Sequence, residues 1–277
     1  MRSRSSKARY RGRNGLFHNV QTGENMFYHQ YEINSAAKKE IVMKKIVCGL
    51  LVGAFFLVRF PGTALADQRS YVWTYEYLTL SKDHAELEYY QTAVVKDRQK
   101  DNSSDWQQQV ELEYGITDRV DAALYQVYEQ KENDKMKYAG YKFRLRYRIA
   151  EKNQLPVDVL LYAEHQEKID AKNVFEGKLV FAKDIGKLNV AYNQIYKNTY
   201  TSGDRADHEY AAGASYEVTP ALRLGLESKG NYRTDKYAAG PTLAWIGGRI
   251  WANIGAAYGL NRRTNDREVR FLLGVPF

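Results

Sequence analysis

The chain has 277 residues, a formal net charge of +8 and a single cysteine. The basic excess belongs entirely to residues 1–66, which hold 11 of the 41 basic residues and 3 of the 33 acidic ones, so that residues 67–277 carry 30 of each sign. A neutral body lacks the basic surface of a nucleic-acid-binding protein, so no nucleic-acid partner is expected. One cysteine, Cys48, excludes an intrachain disulfide framework.

Residues 1–42 are basic and polar and show no clear helical or strand period. Three interpretations are open: a disordered basic arm, a targeting peptide, or upstream DNA translated from a start assigned too early. We favour the last one, because Lys39-Glu40 can be encoded by AAGGAG, a bacterial ribosome-binding sequence just ahead of Met43. A targeting segment such as the one that follows is also expected at a true N-terminus.

Residues 43–66 have the three parts of a secretory signal peptide. Two lysines open the segment, the apolar run 46–58 follows, and a small-x-small cleavage site ends at Ala66. A membrane anchor is the alternative, but a spanning helix needs roughly 20 apolar residues and this run is shorter. We therefore expect a cleaved signal and a working protein that begins near Asp67.

Residues 67–82 precede the first predicted strand and carry aromatic side chains at every second position, at Tyr71, Trp73, Tyr75 and Tyr77. That alternation is compatible with an additional strand or with a peptide inside a lumen. An additional strand would make the strand count odd, so we expect a lumenal or periplasmic segment here.

The rest of the chain repeats one unit, a segment of about ten residues with alternating apolar and polar side chains, followed by a turn. The clearest segment is 141–149, which places five apolar side chains on one face and four cations on the other. This repetition is typical of transmembrane β-barrels. We predict an all-β fold, an antiparallel up-and-down transmembrane barrel over residues 83–277, with strands at 84–96, 105–115, 120–130, 138–149, 156–166, 173–183, 187–198, 207–217, 221–231, 236–245, 249–260 and 267–277.

The connections between these predicted strands alternate between tight turns and longer polar loops, apart from 150–155, which is less tight. Such alternation is typical of barrels with short periplasmic turns and longer surface loops, and an even strand count puts both barrel ends in the periplasm. Tyrosines at the strand ends fit the interfacial girdles of such barrels: Tyr89, Tyr114, Tyr147, Tyr216, Tyr237 and Tyr258.

The last predicted strand carries apolar residues at every second position, Phe271, Leu273 and Val275, and ends in Phe277. This ending resembles the C-terminal signature of Gram-negative outer-membrane β-barrel proteins of porin or transporter type. The resemblance implies a location in the cell outer membrane, membrane lipid as a partner, and the barrel-assembly machinery as the reader of these four residues. Length and strand count are also similar to small twelve-stranded porins for acidic oligosaccharides and sialic acid, but no motif places the chain among them.

The predicted inward faces are mostly charged, which is how channels select ions and charged solutes. The hairpin registers that the turns suggest put Arg148 beside Asp121 and Asp158, and they leave Arg144 and Arg146 without an adjacent carboxylate. Free cations opposite a carboxylate wall would bind an anionic solute. The predicted pore-lining residues are Glu86, Glu88, Glu111, Glu113, Lys142, Arg144, Arg146, Arg148 and Arg270.

These features favour a porin-like channel for the passive passage of small anionic solutes. The alternative is a closed barrel with a structural or surface-interaction role, because barrels of about eight strands are filled by side chains and twelve strands lie between those and wide porins. Small residues on the predicted inward faces of the later strands favour an open lumen: Gly213, Ser215, Gly225, Ala238, Gly240, Gly255 and Gly259.

An outer-membrane hydrolase is the third hypothesis. A His–Ser pair two residues apart on an outward face, as in barrel phospholipases, is absent, and Asp207-His208 alone is more typical of a solvated loop end. The sequence carries neither a metal-ligand spacing nor a glycine-rich phosphate loop, so no cofactor and no metal site are expected. The oligomeric state stays open.

Overall fold

The computed structural model describes residues 68–97, 99, 104–248 and 250–277. The interpretations given above for 1–42 and for the signal peptide 43–66 lie outside the described residues. Within the described ranges, no helix is long and apolar enough to cross a bilayer.

The described residues form a closed antiparallel barrel of twelve strands. Each strand pairs with its neighbours in sequence, and the first strand pairs with the last, so the sheet has no unpaired edge. The predicted fold class and the twelve strands are confirmed. The strands are β1 (Ala85–Val95), β2 (Ser104–Thr117), β3 (Val120–Gln130), β4 (Lys137–Arg148), β5 (Asp158–Lys168), β6 (Val174–Ile185), β7 (Leu188–Thr199), β8 (Asp207–Thr219), β9 (Leu222–Asn231), β10 (Lys236–Gly247), β11 (Ile250–Gly259) and β12 (Arg267–Pro276).

The outward face of the barrel exposes large apolar side chains along its strands, among them Leu124, Leu226 and Ile254. A soluble protein rarely exposes a continuous apolar surface of this kind, whereas lipid covers it at no cost. Tyrosines near the strand ends, such as Tyr114 and Tyr216, are also exposed and suit the headgroup zone. A closed sheet with an apolar exterior is the form in which β-structure crosses a membrane.

The C-terminal strand β12 completes the ring against β1. Its residues Phe271, Leu273 and Val275 alternate with the buried side chains of the strand, so they lie on the outward face. The pairing continues to the chain end, because the Phe277 amide donates to the Ala85 carbonyl oxygen at 2.8 Å and the Ala85 amide donates back at 3.2 Å. Recognition of these apolar residues by the barrel-assembly machinery stays a prediction.

The two ends of the barrel differ in their connections. At one end, four connections leave only two residues between consecutive strands, at 118–119, 186–187, 220–221 and 248–249. Gly186 and Gly248 adopt φ values of 62° there, which favour glycine and suit two-residue hairpin turns. Tight turns identify the periplasmic end of an outer-membrane barrel. The fifth connection at this end, 149–157, is longer, with nine residues, and the other end carries the six loops of four to eight residues that surround the outer mouth.

Residues 68–82 lead into β1 from inside the barrel. We call 68–80 the N-terminal segment. It pairs with no strand of the described sheet, yet Tyr71 and Val72 are fully buried. A Cβ at Gly213 would lie 2.5 Å from the Tyr71 ring, and one at Gly255 would lie 2.5 Å from Val72. The space beside these two wall glycines is therefore occupied by the segment, and their small size does not indicate an empty lumen.

Position 240 requires glycine for another reason. A Cβ at this position would lie 1.8 Å from the carbonyl oxygen of Ala256 on the neighbouring strand β11. The close approach of two backbones requires glycine here. The expectation that small residues on the later strands leave an open lumen is thus wrong for Gly213, Gly240 and Gly255.

The lipid-facing surface can be tested at Leu226, midway along β9, which is 66% exposed. Leu226→Arg should lower the free energy of unfolding in lipid vesicles by about 2–4 kcal/mol, because a charge at bilayer depth is costly. The matched control is Leu260→Arg in the β11–β12 loop, where a leucine of similar exposure, 63%, lies beyond the strand. Equal losses in denaturant titrations of the two variants would contradict the membrane position assigned to β9.

Candidate functional site

Four glutamates from β1 and β2 face the lumen as two opposed pairs. Glu86 lies opposite Glu113, and Glu88 lies opposite Glu111. All four side chains are buried, with at most 1% of their surface exposed. Carboxylates removed from water in this way require cations and hydrogen bonds close by.

Arg144 and Arg146 of β4 supply those cations. Arg144 places Nη1 2.9 Å from a Glu111 oxygen and Nη2 2.6 Å from a Glu113 oxygen. Arg146 contacts Glu113 through Nη2, which also lies 2.7 Å from a carboxylate oxygen of Asp121. The prediction that these arginines have no adjacent carboxylate is wrong, and the two predicted walls of opposite charge neutralise each other.

The β3–β4 register explains the difference. Asp121 lies opposite Arg146, two residues before its predicted partner, and Ala123 lies opposite Arg144. A slip of two residues keeps each side chain on its predicted face, so alternation alone cannot detect it. Ala123 also lies opposite Glu113, and its small side chain leaves the room through which Arg144 reaches across β3.

Tyr90 and Arg69 extend the same cluster. The Tyr90 hydroxyl lies 2.5 Å from a Glu88 oxygen and 2.7 Å from a Glu111 oxygen, and Arg69 Nη1 donates to the Tyr90 oxygen at 3.1 Å. We call this group the buried ion-pair cluster. Among the described residues it combines five carboxylates with three arginines: Glu86, Glu88, Glu111, Glu113 and Asp121 with Arg69, Arg144 and Arg146.

Carboxylate oxygens of Glu88, Glu111 and Glu113 approach one another within 4.8 Å, the spacing of a metal-ligand set. The guanidinium of Arg144, however, already lies between 2.6 and 2.9 Å from two of these three carboxylates. A metal ion would have to share that position with a cation. The donor set therefore fits an arginine better than a metal, and the cluster fills this side of the lumen.

A cavity of about 420 Å³ opens at the loop end of the lumen, next to Thr264 and Asn265 of the β11–β12 loop. We call it the outer vestibule. Counted over the described residues, six cations and four carboxylates line it, a formal excess of two positive charges. They are Lys142, Lys178, Lys197, Lys229, Lys236 and Arg270 with Glu164, Glu176, Glu209 and Glu268.

Lysines and glutamates alternate around the wall of the outer vestibule. Lys197 bridges two strands, because its Nζ lies 3.1 Å from Glu176 and 2.8 Å from Glu209. Lys229 lies 2.6 Å from Glu268. These pairs fix the side chains in place and leave the surplus of cations to set the sign of the local potential.

The floor of the outer vestibule consists of two rings from the N-terminal segment. Lys178 Nζ lies 4.2 Å from the ring centroid of Tyr75, and Lys229 Nζ lies 4.8 Å from the ring centroid of Trp73. Cations over aromatic faces are stabilised by the ring quadrupole. The segment is thereby held against the wall by the same lysines that line the vestibule.

A second cavity, of about 200 Å³, lies at the tight-turn end of the lumen, beside Gly186 and Lys187. We call it the inner cavity. Gln68 and Glu76 line it from the N-terminal segment, whereas Trp73 and Tyr75 line the outer vestibule. The segment therefore enters from the periplasmic end, turns in the middle of the lumen and separates the two cavities.

The loops at the outer mouth are connected by exposed ion pairs. Lys172 Nζ lies 2.8 Å from Asp204, which joins the β5–β6 and β7–β8 loops. The hydrogen bond from Lys172 lowers the pKa of the Asp204 carboxyl. The pair therefore stays ionised at neutral pH, although exposure limits its contribution to stability.

The predicted pore-lining residues divide into three groups. Lys142 and Arg270 line the outer vestibule. Arg148 lies at the inner end, where Nη2 donates to the Asp118 carbonyl and the guanidinium lies 5.5 Å from the Tyr77 ring, so its predicted place between Asp121 and Asp158 is wrong. The remaining six belong to the buried ion-pair cluster: Glu86, Glu88, Glu111, Glu113, Arg144 and Arg146.

Sequence reasoning missed Lys178, Lys197 and Lys229 as members of the outer vestibule. Each stands alone at an inward position of a different strand, β6, β7 or β9, whereas the four cations of β4 form a conspicuous run. The strand phase alone could have assigned them to the lumen. Their grouping depends on pairing registers across four strands, which a single sequence does not reveal. Whether any of the residues predicted to line a pore does so in conduction stays a prediction.

No family model matches the sequence, and no curated protein matches it. Among solved structures, the chain is similar to a COG4313 outer membrane channel from Pseudomonas putida F1, with a TM-score of 0.52 and 9% identity over 75% of this chain and 100% of that one. It is also similar to the KdgM porin in complex with disordered oligogalacturonate (TM-score 0.49, 9% identity, 69% and 98% covered). A third similar structure is the outer membrane phospholipase A from Escherichia coli (TM-score 0.41, 13% identity, 71% and 97% covered).

The closed twelve-stranded sheet and its apolar exterior define a transmembrane β-barrel. The chain has the fold of outer-membrane β-barrels, which is the one found in a solved outer-membrane channel, and its closed sheet and apolar exterior suit a place in an outer membrane.

The buried ion-pair cluster should be essential for stability. Arg146→Met should lower the free energy of unfolding by about 3–5 kcal/mol, because it removes one of the two arginines that pair with the buried Glu113 and Asp121. The control is Arg119→Met, which removes an exposed pair with Glu151 at 3.5 Å and should cost less than about 1 kcal/mol. Denaturant titration in detergent micelles measures both. A loss at Arg146 no larger than the loss at Arg119 would contradict the structural role of the cluster.

Proposed function

We propose that the protein is a porin-like channel through which small anionic solutes cross the outer membrane passively. The observation that carries this proposal is the charge of the outer vestibule, whose lining holds two more cations than carboxylates. The inner cavity offers a comparison, because its described lining combines four cations with four carboxylates: Lys152, Lys183, Lys187 and Arg223 with Glu76, Asp158, Asp184 and Glu217. An anion therefore meets an attractive potential first at the outer mouth.

The selectivity filter of this proposal lies at the outer vestibule and not at the arginines of β4. Arg144 and Arg146 are almost fully buried and paired with carboxylates, so they present little net charge to a passing solute. Lys142 and Lys236, in contrast, border the vestibule directly. Charges at a water-filled mouth act over about one Debye length, about 10 Å at 0.1 M salt, so the selectivity should weaken as salt is raised.

A closed barrel with a structural or surface-interaction role is the second candidate. It is favoured by one observation, the burial of Tyr71 and Val72 of the N-terminal segment inside the lumen. A segment fixed permanently in that position would leave two blind cavities. The channel proposal requires either a residual path beside the segment or its movement.

The hydrolase hypothesis receives less support. His165 contacts a tyrosine hydroxyl through Nδ1 and lies 3.3 Å from the Glu167 carboxylate, an arrangement without a serine nucleophile. Asp207 accepts a hydrogen bond from Arg233 at 2.6 Å, and so serves a loop ion pair beside His208. We therefore propose transport, and no catalytic activity, as the role of the barrel.

The test is the reversal potential of single channels in a planar bilayer under a gradient of dilute salt. The wild type should prefer anions. Lys142→Gln combined with Lys236→Gln removes the two excess charges of the outer vestibule. In water, a unit charge about 8 Å away changes the energy of an ion by about 0.5 kcal/mol, so the anion preference should fall about fourfold or more.

The matched control neutralises two lysines at the opposite mouth, Lys152→Gln with Lys183→Gln, which line the inner cavity. It should change the anion preference by less than the vestibule pair does. A wild type that prefers cations would contradict the proposed anionic solute and would still support a channel. Absence of current from protein shown to be folded by its heat-modifiable gel mobility would favour the closed barrel.

A further inference from the structure

The N-terminal segment crosses the lumen and contacts most of the barrel wall. Tyr71 donates its hydroxyl proton to an acceptor on Asn189 of β7, and the Leu80 amide donates to Asp121 of β3 at 3.0 Å. Between these points Tyr75 packs edge-on against Tyr162 of β5, with ring centroids 4.9 Å apart. The buried ion-pair cluster fills the side of β1–β4, and the segment occupies the other side of the lumen.

One carboxylate holds the apex of the segment. The buried Glu227 of β9 accepts hydrogen bonds from the backbone amides of Val72, Trp73 and Thr74 at 2.8, 2.9 and 2.8 Å, and from the Thr74 hydroxyl at 3.0 Å. Three consecutive amides that point at one anion form a backbone nest. Here the barrel wall provides the anion, and the segment provides the nest.

Two asparagines bind the backbone on either side of this apex. The Asn193 side chain of β7 accepts from the Tyr75 amide at 2.6 Å and donates to the Tyr75 carbonyl at 2.8 Å. Asn253 of β11 donates to the carbonyl oxygens of Arg69 at 2.7 Å and Tyr71 at 3.3 Å. The wall therefore recognises the main chain of the segment at three separate places.

These contacts are separate from the ladder hydrogen bonds that hold the strands of the barrel together. Every strand of the described sheet has both of its neighbours without the segment, so displacement breaks no ladder hydrogen bond. Glu227, Asn193 and Asn253 would then face a water-filled lumen, which replaces the lost hydrogen bonds. The junction stays anchored, because the Asp83 amide donates to the Gly115 carbonyl at 2.9 Å.

We propose that residues 70–77 of the N-terminal segment form a gate, while Arg69 stays in the buried ion-pair cluster. In the seated position, held by Glu227, the gate separates the outer vestibule from the inner cavity. Displaced towards the periplasmic end, from which it enters, the gate joins the two cavities into one path. The gate regulates the channel described under Proposed function and rests on that proposal.

A disulfide can lock the gate in its seated position. A Cβ at residue 255 would lie 2.5 Å from Val72 Cγ2, so sulfur atoms at positions 72 and 255 come within bonding reach. Cys48 is the only native cysteine. Val72→Cys with Gly255→Cys is therefore made in the full chain carrying Cys48→Ser, and the cross-link is verified by mass spectrometry.

Single-channel current in a planar bilayer is recorded before and after reduction with dithiothreitol. The oxidised protein should conduct at least tenfold less than the reduced protein, and the single variant Val72→Cys should not respond to reduction. Equal currents in the cross-linked and reduced states would overturn the gate and leave the channel intact. Silence of the wild type and of the reduced variant, from folded barrels, would overturn the proposed function and the gate with it.

Glu227→Ala provides a second test that needs no cross-link. It removes the acceptor of four hydrogen bonds to the apex, so the fraction of time spent open should rise at least tenfold. The matched control is Glu129→Ala, which removes another carboxylate of the barrel wall, on β3, whose contacts are with Gln107 and Lys131 and not with the segment. An open fraction that changes equally in both variants would overturn the role of Glu227 as the latch of the gate.

Discussion

Space in the lumen is the constraint on which the rest of this structure depends. A sheet of about eight strands closes around an interior that its own side chains can fill, whereas twelve strands enclose more volume. The barrel fills that volume in two different ways. Long charged side chains from β1–β4 meet across the small side chain of Ala123, and on the other side of the lumen the N-terminal segment fits against glycines of β8 and β11.

The buried ion-pair cluster and the N-terminal segment differ in the free energy that it would cost to move them. Each member of the buried ion-pair cluster would leave an unpaired charge behind if it moved, and this makes the cluster rigid. The segment is held mostly by hydrogen bonds from neutral amides and by ring contacts, with Glu227 as its principal charged partner. The same lumen thus contains a part that must stay in place for stability, which includes Arg69, and a part, residues 70–77, that moves in the proposed gate.

Strand number, strand bounds and the inward or outward direction of side chains could be predicted from the sequence, because alternation has a period of two and repeats twelve times. Pairing between side chains on different strands could not. The β3–β4 hairpin pairs two residues away from the predicted register, so Arg146 lies opposite Asp121. The first assignment of a selectivity filter depended on unpaired cations at Arg144 and Arg146, and this register pairs them with carboxylates.

The N-terminal segment shows a second limit of sequence reasoning. Aromatic alternation over 71–77 is compatible with a strand as well as with a lumenal peptide, since either can bury rings that stand at every second residue. Its partners, Glu227 and Asn253, lie more than 150 residues away. The vestibule lysines were missed for the same reason, because only the closed ring brings β6, β7 and β9 to one mouth.

The contacts of the segment with β1 and β12 bear on how the barrel is assembled. Arg270 of β12 donates to the Val72 carbonyl at 3.3 Å, and Arg69 donates to Tyr90 of β1 at 3.1 Å, so the segment touches both sides of the seam from within. The first and last strands are the most distant in sequence and must find each other for the ring to close. In the folded barrel the N-terminal segment is a bridge across this seam, so its removal would cost the first and last strands two shared contacts.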